Sequence, residues 1–122
     1  MNGKSMERVV KIGIMSEAAI RTRMLDIARG KYKPSKDDPK IWFTSMKSVA
    51  EILSDKNIEL LRMIAEKQPH SVSELAEESG RAVSNLSRTL KTLCLYGIVE
   101  LKKIDSKRVQ PIAKYTKFLI AA

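Results

Sequence analysis

Three residues set the tightest limit on how this chain can fold. Ala76, Gly80 and Leu86 stand at A-x3-G-x5-L within Ser71-Val-Ser-Glu-Leu-Ala-Glu-Glu-Ser-Gly-Arg-Ala-Val-Ser-Asn-Leu-Ser-Arg-Thr-Leu90. A small side chain at Ala76 lets two helices cross closely, where a larger one would push them apart. Gly80 takes the turn between them, because positive φ is cheap only without a Cβ. Leu86 brings the second helix back onto a shared core, with Leu75 and Val83 beside it. Ser71 and Glu74 have the spacing of a capping box, so the first helix of the pair starts near Val72 and ends at Gly80.

This is the helix-turn-helix pattern, and its flanks extend it. Before it, Ser54 caps a stripe of Ile58, Leu61, Ile64 and Ala65 that stops ahead of Pro69. Ile41-Trp-Phe-Thr44 is short and strand-like, and Ser45 then caps a shorter helix through Leu53, with Met46, Val49, Ala50 and Leu53 on one face. After it, the second helix runs over 82–96 to Gly97. Ile98 to Lys103 alternates as a strand, Asp105-Ser-Lys107 turns, and Arg108 to Ala113 returns, with Pro111 confining that strand to an edge or a short length. Upstream, Val10, Ile12 and Ile14 alternate as a half-buried strand. Ser16 then caps a helix with an apolar stripe of Ile20, Met24, Ile27 and Ala28, ending near Gly30. Lys31 to Lys40, with Pro34 and Pro39 among charges, is a linker; Asp37-Asp38 within it is turn chemistry. The resulting expectation is a mainly α fold with a small β-hairpin wing. It divides into an N-terminal strand-helix arm (1–30), a linker (31–40), a winged helix-turn-helix domain (41–113) and a C-terminal tail (114–122).

The second helix of the pair carries the functional signal. Val83, Leu86, Leu90 and Leu93 recur at core spacing. Arg81, Ser84, Asn85, Arg88, Lys91 and Thr92 fall opposite, and the run from Arg81 to Tyr96 holds three bases and no acid. The preceding helix carries Glu74, Glu77 and Glu78 instead. A helix facing a nucleic-acid groove can carry Asn and Arg, whereas one aimed at phosphates should not carry three carboxylates. Arg88 can read guanine bidentately and Asn85 adenine. Ser84 and Thr89 can reach base or phosphate, and Ser71 can offer a phosphate contact beside backbone N–H groups. Lys107 and Arg108 lie at the hairpin tip. Each has a plainer reading: a polar helix face is also what any surface helix shows, and hairpin lysines also serve solubility.

On these residues, 54–110 resembles a winged helix-turn-helix of the MarR/ArsR type. Leu86-Ser-Arg-Thr-Leu90, then Leu93, Gly97-Ile-Val and the basic hairpin, are similar to that family's recognition helix and wing. The resemblance implies wing-tip contacts to the minor groove or adjacent backbone. A longer stretch, roughly 9–115, resembles a group of small prokaryotic and archaeal predicted transcriptional regulators. It is carried by Asp26-Ile-Ala-Arg-Gly30, Pro39-Lys-Ile-Trp-Phe-Thr-Ser45, Glu74-Leu-Ala76 and Gly80-Arg81. Some of that group look like antitoxins, which adds a toxin protein as a partner by analogy.

Composition narrows the rest. At 122 residues the chain fits one domain of about 100–200 residues. Its net charge of +9 favours an anionic partner without choosing among them. That charge is uneven: residues 1–40 hold 10 bases and 5 acids, 41–100 hold 7 and 8, and 101–122 hold 6 and 1. Two basic flanks thus surround a nearly neutral centre. Aromatics at 5% leave few platforms for stacking single-stranded bases. Cys94 alone excludes an intramolecular disulfide and a thiolate zinc site and points to a reducing, cytoplasmic setting. Its place near Leu90 and Leu93 predicts a buried thiol. His70 is a surface turn residue, and Trp42 and Phe43 are core or interface residues. No run spans a bilayer, and the N-terminus is too interrupted for a signal-peptide core. No metal, cofactor or catalytic constellation can be assembled, so no enzyme is expected. The expected function is sequence-specific double-stranded DNA binding by a transcriptional regulator. A homodimer through the arm is expected, since one module meets few base pairs. A protein-docking module and an RNA binder are the rival readings.

Overall fold

The structure, a computed structural model, describes residues 8–121. In chain order it contains β1 (Val9–Ile14), α1 (Glu17–Ala28), β2 (Ile41–Phe43), α2 (Met46–Ile52), α3 (Asp55–Lys67), α4 (Val72–Ser79), α5 (Val83–Leu95), β3 (Val99–Lys103), β4 (Val109–Ala113) and β5 (Lys117–Ala121). Helix starts follow local chemistry. Ser16, Ser45, Ser54 and Ser71 each sit at an N-cap, and each hydroxyl accepts from the backbone N–H three residues on. Gly80 closes α4 in the left-handed conformation at φ 73°, as its position in the helix pair requires.

The expectation of a mainly α fold is wrong: the molecule is mixed α/β, with two sheets. The hairpin β3–β4 is antiparallel, with Leu101 opposite Pro111. The second sheet is parallel, in the order β2–β1–β5. β1 pairs Ile12, Gly13 and Ile14 with Ile41, Trp42 and Phe43 on one side, and Val9 through Gly13 with Lys117 through Ala121 on the other. The strand read as part of an arm is therefore the central strand of a sheet. Both its edges are occupied within the chain, so it offers no free edge to a second copy. The stretch read as a tail contains β5. Arg8 and Thr116 start that pairing: Arg8 N–H donates to Thr116 Oγ1 at 3.2 Å, and Thr116 N–H to the Arg8 carbonyl at 2.8 Å.

The period-2 pattern of β1 explains its place. Val10 and Ile12 point inward and are buried with Ile41 and Phe43. They join one continuous core with Leu61 and Ile64 of α3, Leu75 of α4, Leu86, Leu90 and Leu93 of α5, and Ile98 and Val99. Phe43 meets Tyr96 with ring centroids 4.6 Å apart, which links the sheet to the end of α5. Gly13 points to the other face, directly beneath Trp42; a Cβ at 13 would lie 2.3 Å from the indole. Glycine here admits the indole, so Gly13 is a packing residue and not merely a break in an apolar run.

The linker is tied down. Arg23 of α1 lies 4.8 Å from the Tyr32 ring centroid and 5.1 Å from that of Trp42, and pairs with Asp38 at 3.3 Å. The Tyr32 hydroxyl also donates to Asp38. That bond, followed by the Ser35 N–H, holds the Asp38 carboxyl below its ordinary range. α1 buries no residue; Met24 is 64% exposed, and Leu25 and Ile27 also face solvent. Among the described residues no helix is long and apolar enough to cross a membrane.

Candidate nucleic-acid interface

The candidate interface is built on α5. Its leucines at 86, 90 and 93 are buried, which fixes the rotation of the helix against α4 and β3. Ser84, Asn85, Arg88 and Lys91 are then exposed, while Thr89 is half-buried at the border. Two sequence assignments need correction. Val83 is 48% exposed rather than part of the core, and Cys94 is exposed rather than buried. The core stripe narrows to Leu86, Leu90 and Leu93, and positions 83 and 94 fall on its flanks, where nothing packs over them. Leu95 beside Cys94 is 88% exposed.

The start of α5 has its own chemistry. Its N-cap is Ala82, which has no side chain to accept from the first turn. The first bond into the helix runs from Leu86 N–H to the Ala82 carbonyl at 3.0 Å. The N–H groups of Val83, Ser84 and Asn85 have no intrahelical carbonyl by geometry. Gly80 and Arg81 precede this turn, and Arg81 N–H donates to Ser79 Oγ at 3.2 Å. A cleft of about 440 Å³ opens here, lined by Lys56, Gly80, Arg81, Ala82, Asn85, Arg88 and Thr89. It thus gathers four of the residues singled out in sequence: Arg81, Asn85, Arg88 and Thr89. It holds no carboxylate. Lys56 and Arg81 also line a groove of about 480 Å³ along α3, shared with Glu59, Arg62, Glu66 and Lys67.

Lys56 was not anticipated. It sits in the first turn of α3, two residues after the Ser54 cap. A cation at a helix N-terminus opposes the macrodipole, and that misplacement was the available signal.

The remaining candidates are spread further. Ser71 is half-buried, and its Oγ accepts from Glu74 N–H at 3.1 Å, so the hydroxyl already serves as the α4 cap and keeps only its O–H for an external acceptor. Lys107 and Arg108, at the hairpin tip, are not equivalent. Asp105 Oδ1 accepts from the N–H groups of Lys107 at 2.9 Å and Arg108 at 2.8 Å. Asp105 Oδ2 meets Arg108 Nε and Nη2, each at 2.8 Å. These bonds, with the Lys107 N–H foremost, keep the Asp105 carboxyl below its ordinary value. Arg108 is thereby committed to shaping the turn, and Lys107 is left as an exposed cation beside Lys102 and Lys103. His70 is exposed next to buried Pro69. Among the described residues no three His, Cys, Asp or Glu side chains converge as a metal site.

Residues 52–120, more than half of the chain, match the family HVO_A0114. The match takes in α3 through α5, the hairpin and most of β5, and therefore the whole candidate interface. Neither curated proteins nor solved structures give a match.

Proposed function

The chain belongs to the HVO_A0114 family, and from the geometry of the segment that family covers we propose that it is a sequence-specific double-stranded DNA-binding regulator of transcription. The observation that carries this reading is α5. One side of it is locked into the core by three buried leucines, and the other presents Asn85, Arg88 and Lys91 without an acid. A helix held in this way can enter a major groove about 12 Å wide with its polar side chains at base edges. Arg88 reads guanine and Asn85 reads adenine, while Ser84 and Thr89 support them. Lys107 contacts the backbone from the hairpin, and Arg108 keeps that hairpin in shape.

One copy of α5 covers few base pairs, so two copies act together on paired half-sites. α1 is the surface for that pairing, because Met24, Leu25 and Ile27 are exposed on a helix that buries nothing. The same exposed apolar residues support a second reading, a protein partner such as a toxin.

The test is selection of bound duplexes from a random pool, followed by selection with Arg88→Ala. The wild type should return one recurring sequence containing a guanine that the variant no longer requires, at a cost of about 1–3 kcal/mol at that position. Selection that yields no recurring sequence would remove the reading.

A further inference from the structure

We infer that the cleft at the start of α5 is a seat for a phosphate oxyanion, and that its occupant is one backbone phosphodiester of duplex DNA, held by Lys56, Arg81 and the N–H groups of Val83, Ser84 and Asn85. The inference rests on the DNA reading only for the source of the phosphate; the chemistry of the seat stands on its own observations.

The first is charge. Lys56, Arg81 and Arg88 line a single cleft without a carboxylate. Among the described residues the ion pairs are Arg21 with Glu17, Arg23 with Asp38 and Arg108 with Asp105, so none of the three cleft cations is neutralised by a neighbour. The second is desolvation. Arg81 Nη1 is shut off from solvent and has no hydrogen-bond partner. A guanidinium N–H removed from water without an acceptor is costly, and the cost is greater for a charged group. Arg81 as a whole is half-buried, and an anion against its accessible nitrogens compensates the charge of the guanidinium electrostatically, without bonding Nη1 itself. The third is the unanswered first turn of α5: Ala82 supplies no cap, and the N–H groups there carry the positive end of the helix dipole. Carboxylates elsewhere on the rim do not occupy the seat. Glu59 and Glu66 lie along the adjoining groove, which Lys56 and Arg81 also line, and neither carboxylate pairs with either cation.

The three sources of attraction converge from different elements: Lys56 from α3, Arg81 from the turn and the N–H groups from α5. A phosphodiester here would fix how deeply α5 enters the groove, because the seat lies beside Asn85 and Arg88. The contact positions the reading helix and carries no sequence information itself.

The experiment uses the full chain labelled with ¹⁵N. Inorganic phosphate is titrated at constant ionic strength, with chloride as the control anion. The amides of Val83, Ser84 and Asn85 should shift saturably with phosphate and not with chloride. Lys56→Ala and Arg81→Ala should each weaken that response by about tenfold, the equivalent of a charged hydrogen bond, and Lys56→Arg should restore it. Lys56 is exposed, so the variant is expected to fold, and circular dichroism checks this. In parallel, binding of a random-sequence duplex is measured at several salt concentrations. Lys56→Ala should flatten the logarithmic salt slope by about one. Amides that ignore phosphate, or respond equally in Lys56→Ala, overturn the seat. Duplex binding with an unchanged slope in Lys56→Ala overturns the assignment to DNA phosphate while leaving the DNA reading intact. A phosphate response in a protein that binds no duplex overturns that assignment and the DNA reading together.

Discussion

The two sheets of this molecule are built by opposite means. The β3–β4 hairpin is local: its strands are separated by one turn, and Asp105 closes that turn with bonds to residues two and three positions on. The β2–β1–β5 sheet is assembled from distant segments, its β1–β5 edge starting with Arg8 and Thr116, 108 positions apart. The hairpin keeps most of its tip in solvent, whereas β1 sends Val10 and Ile12 into the same core that holds α5. The difference teaches where cohesion and exposed charge are placed. The long-range sheet stabilises the whole chain, and the local hairpin is free to present charge.

If that division holds, damage to the sheet should be global and damage to the hairpin tip local. Ile12→Ala should have the largest effect, about 2–5 kcal/mol of lost stability by denaturant unfolding. The loss should appear as one transition reported equally by Trp42 fluorescence and by helical circular dichroism; two separated transitions would mean that the sheet and the helices are independent units. Gly13→Ala should follow, at about 1–3 kcal/mol, because the new methyl meets the Trp42 indole. Trp42→Ala in the Gly13→Ala background should cancel much of that penalty, and a purely additive double variant would contradict the packing. Gly80→Ala has open space around it but a left-handed backbone, so strain alone should cost roughly 1–2 kcal/mol.

The smallest effect belongs to the hairpin tip. The Asp105 carboxyl is held below its ordinary value, near 3.8, by bonds it makes only in the folded turn. Its contribution is therefore fully present above that value and is lost as pH falls through the lowered folded value. The amide signals of Lys107 and Arg108 should move on acidification with a midpoint below 3.8. A midpoint at or above that value would show that the carboxylate does not hold the turn.

Much of this arrangement was legible because it depends on neighbours in sequence. Four serine caps, the Gly80 turn and the hairpin each follow from residues a few positions apart. The pairing of the parallel sheet was not legible for the same reason, although the alternation of β1 marked it as a strand. β5 carries Phe118, Leu119 and Ile120 in succession, with no alternation to mark a strand, and its partner lies at the other end of the chain. The apolar stripe of α1 reads like that of α5, yet α1 buries nothing, because periodicity shows that a face exists and not whether anything covers it. On α5 the same limit misplaced Val83 and Cys94. The candidate interface was legible in the residues proposed to read bases and incomplete in those proposed to face a phosphate. Arg88 and Asn85 stand on a recognisable helix face, whereas Lys56 reaches the cleft only through the packing of α3 beside the turn.

The decisive measurement is a fluorescence titration of the protein with its selected duplex and with random duplex at matched salt. Sequence-specific recognition by α5 requires a preference of about 10³-fold or more for the selected duplex, and Arg88→Ala should cut that preference by about tenfold to a hundredfold while changing random-duplex binding far less. Equal affinity for the two duplexes, or a preference undiminished in Arg88→Ala, would contradict the assignment of α5 as the reading helix.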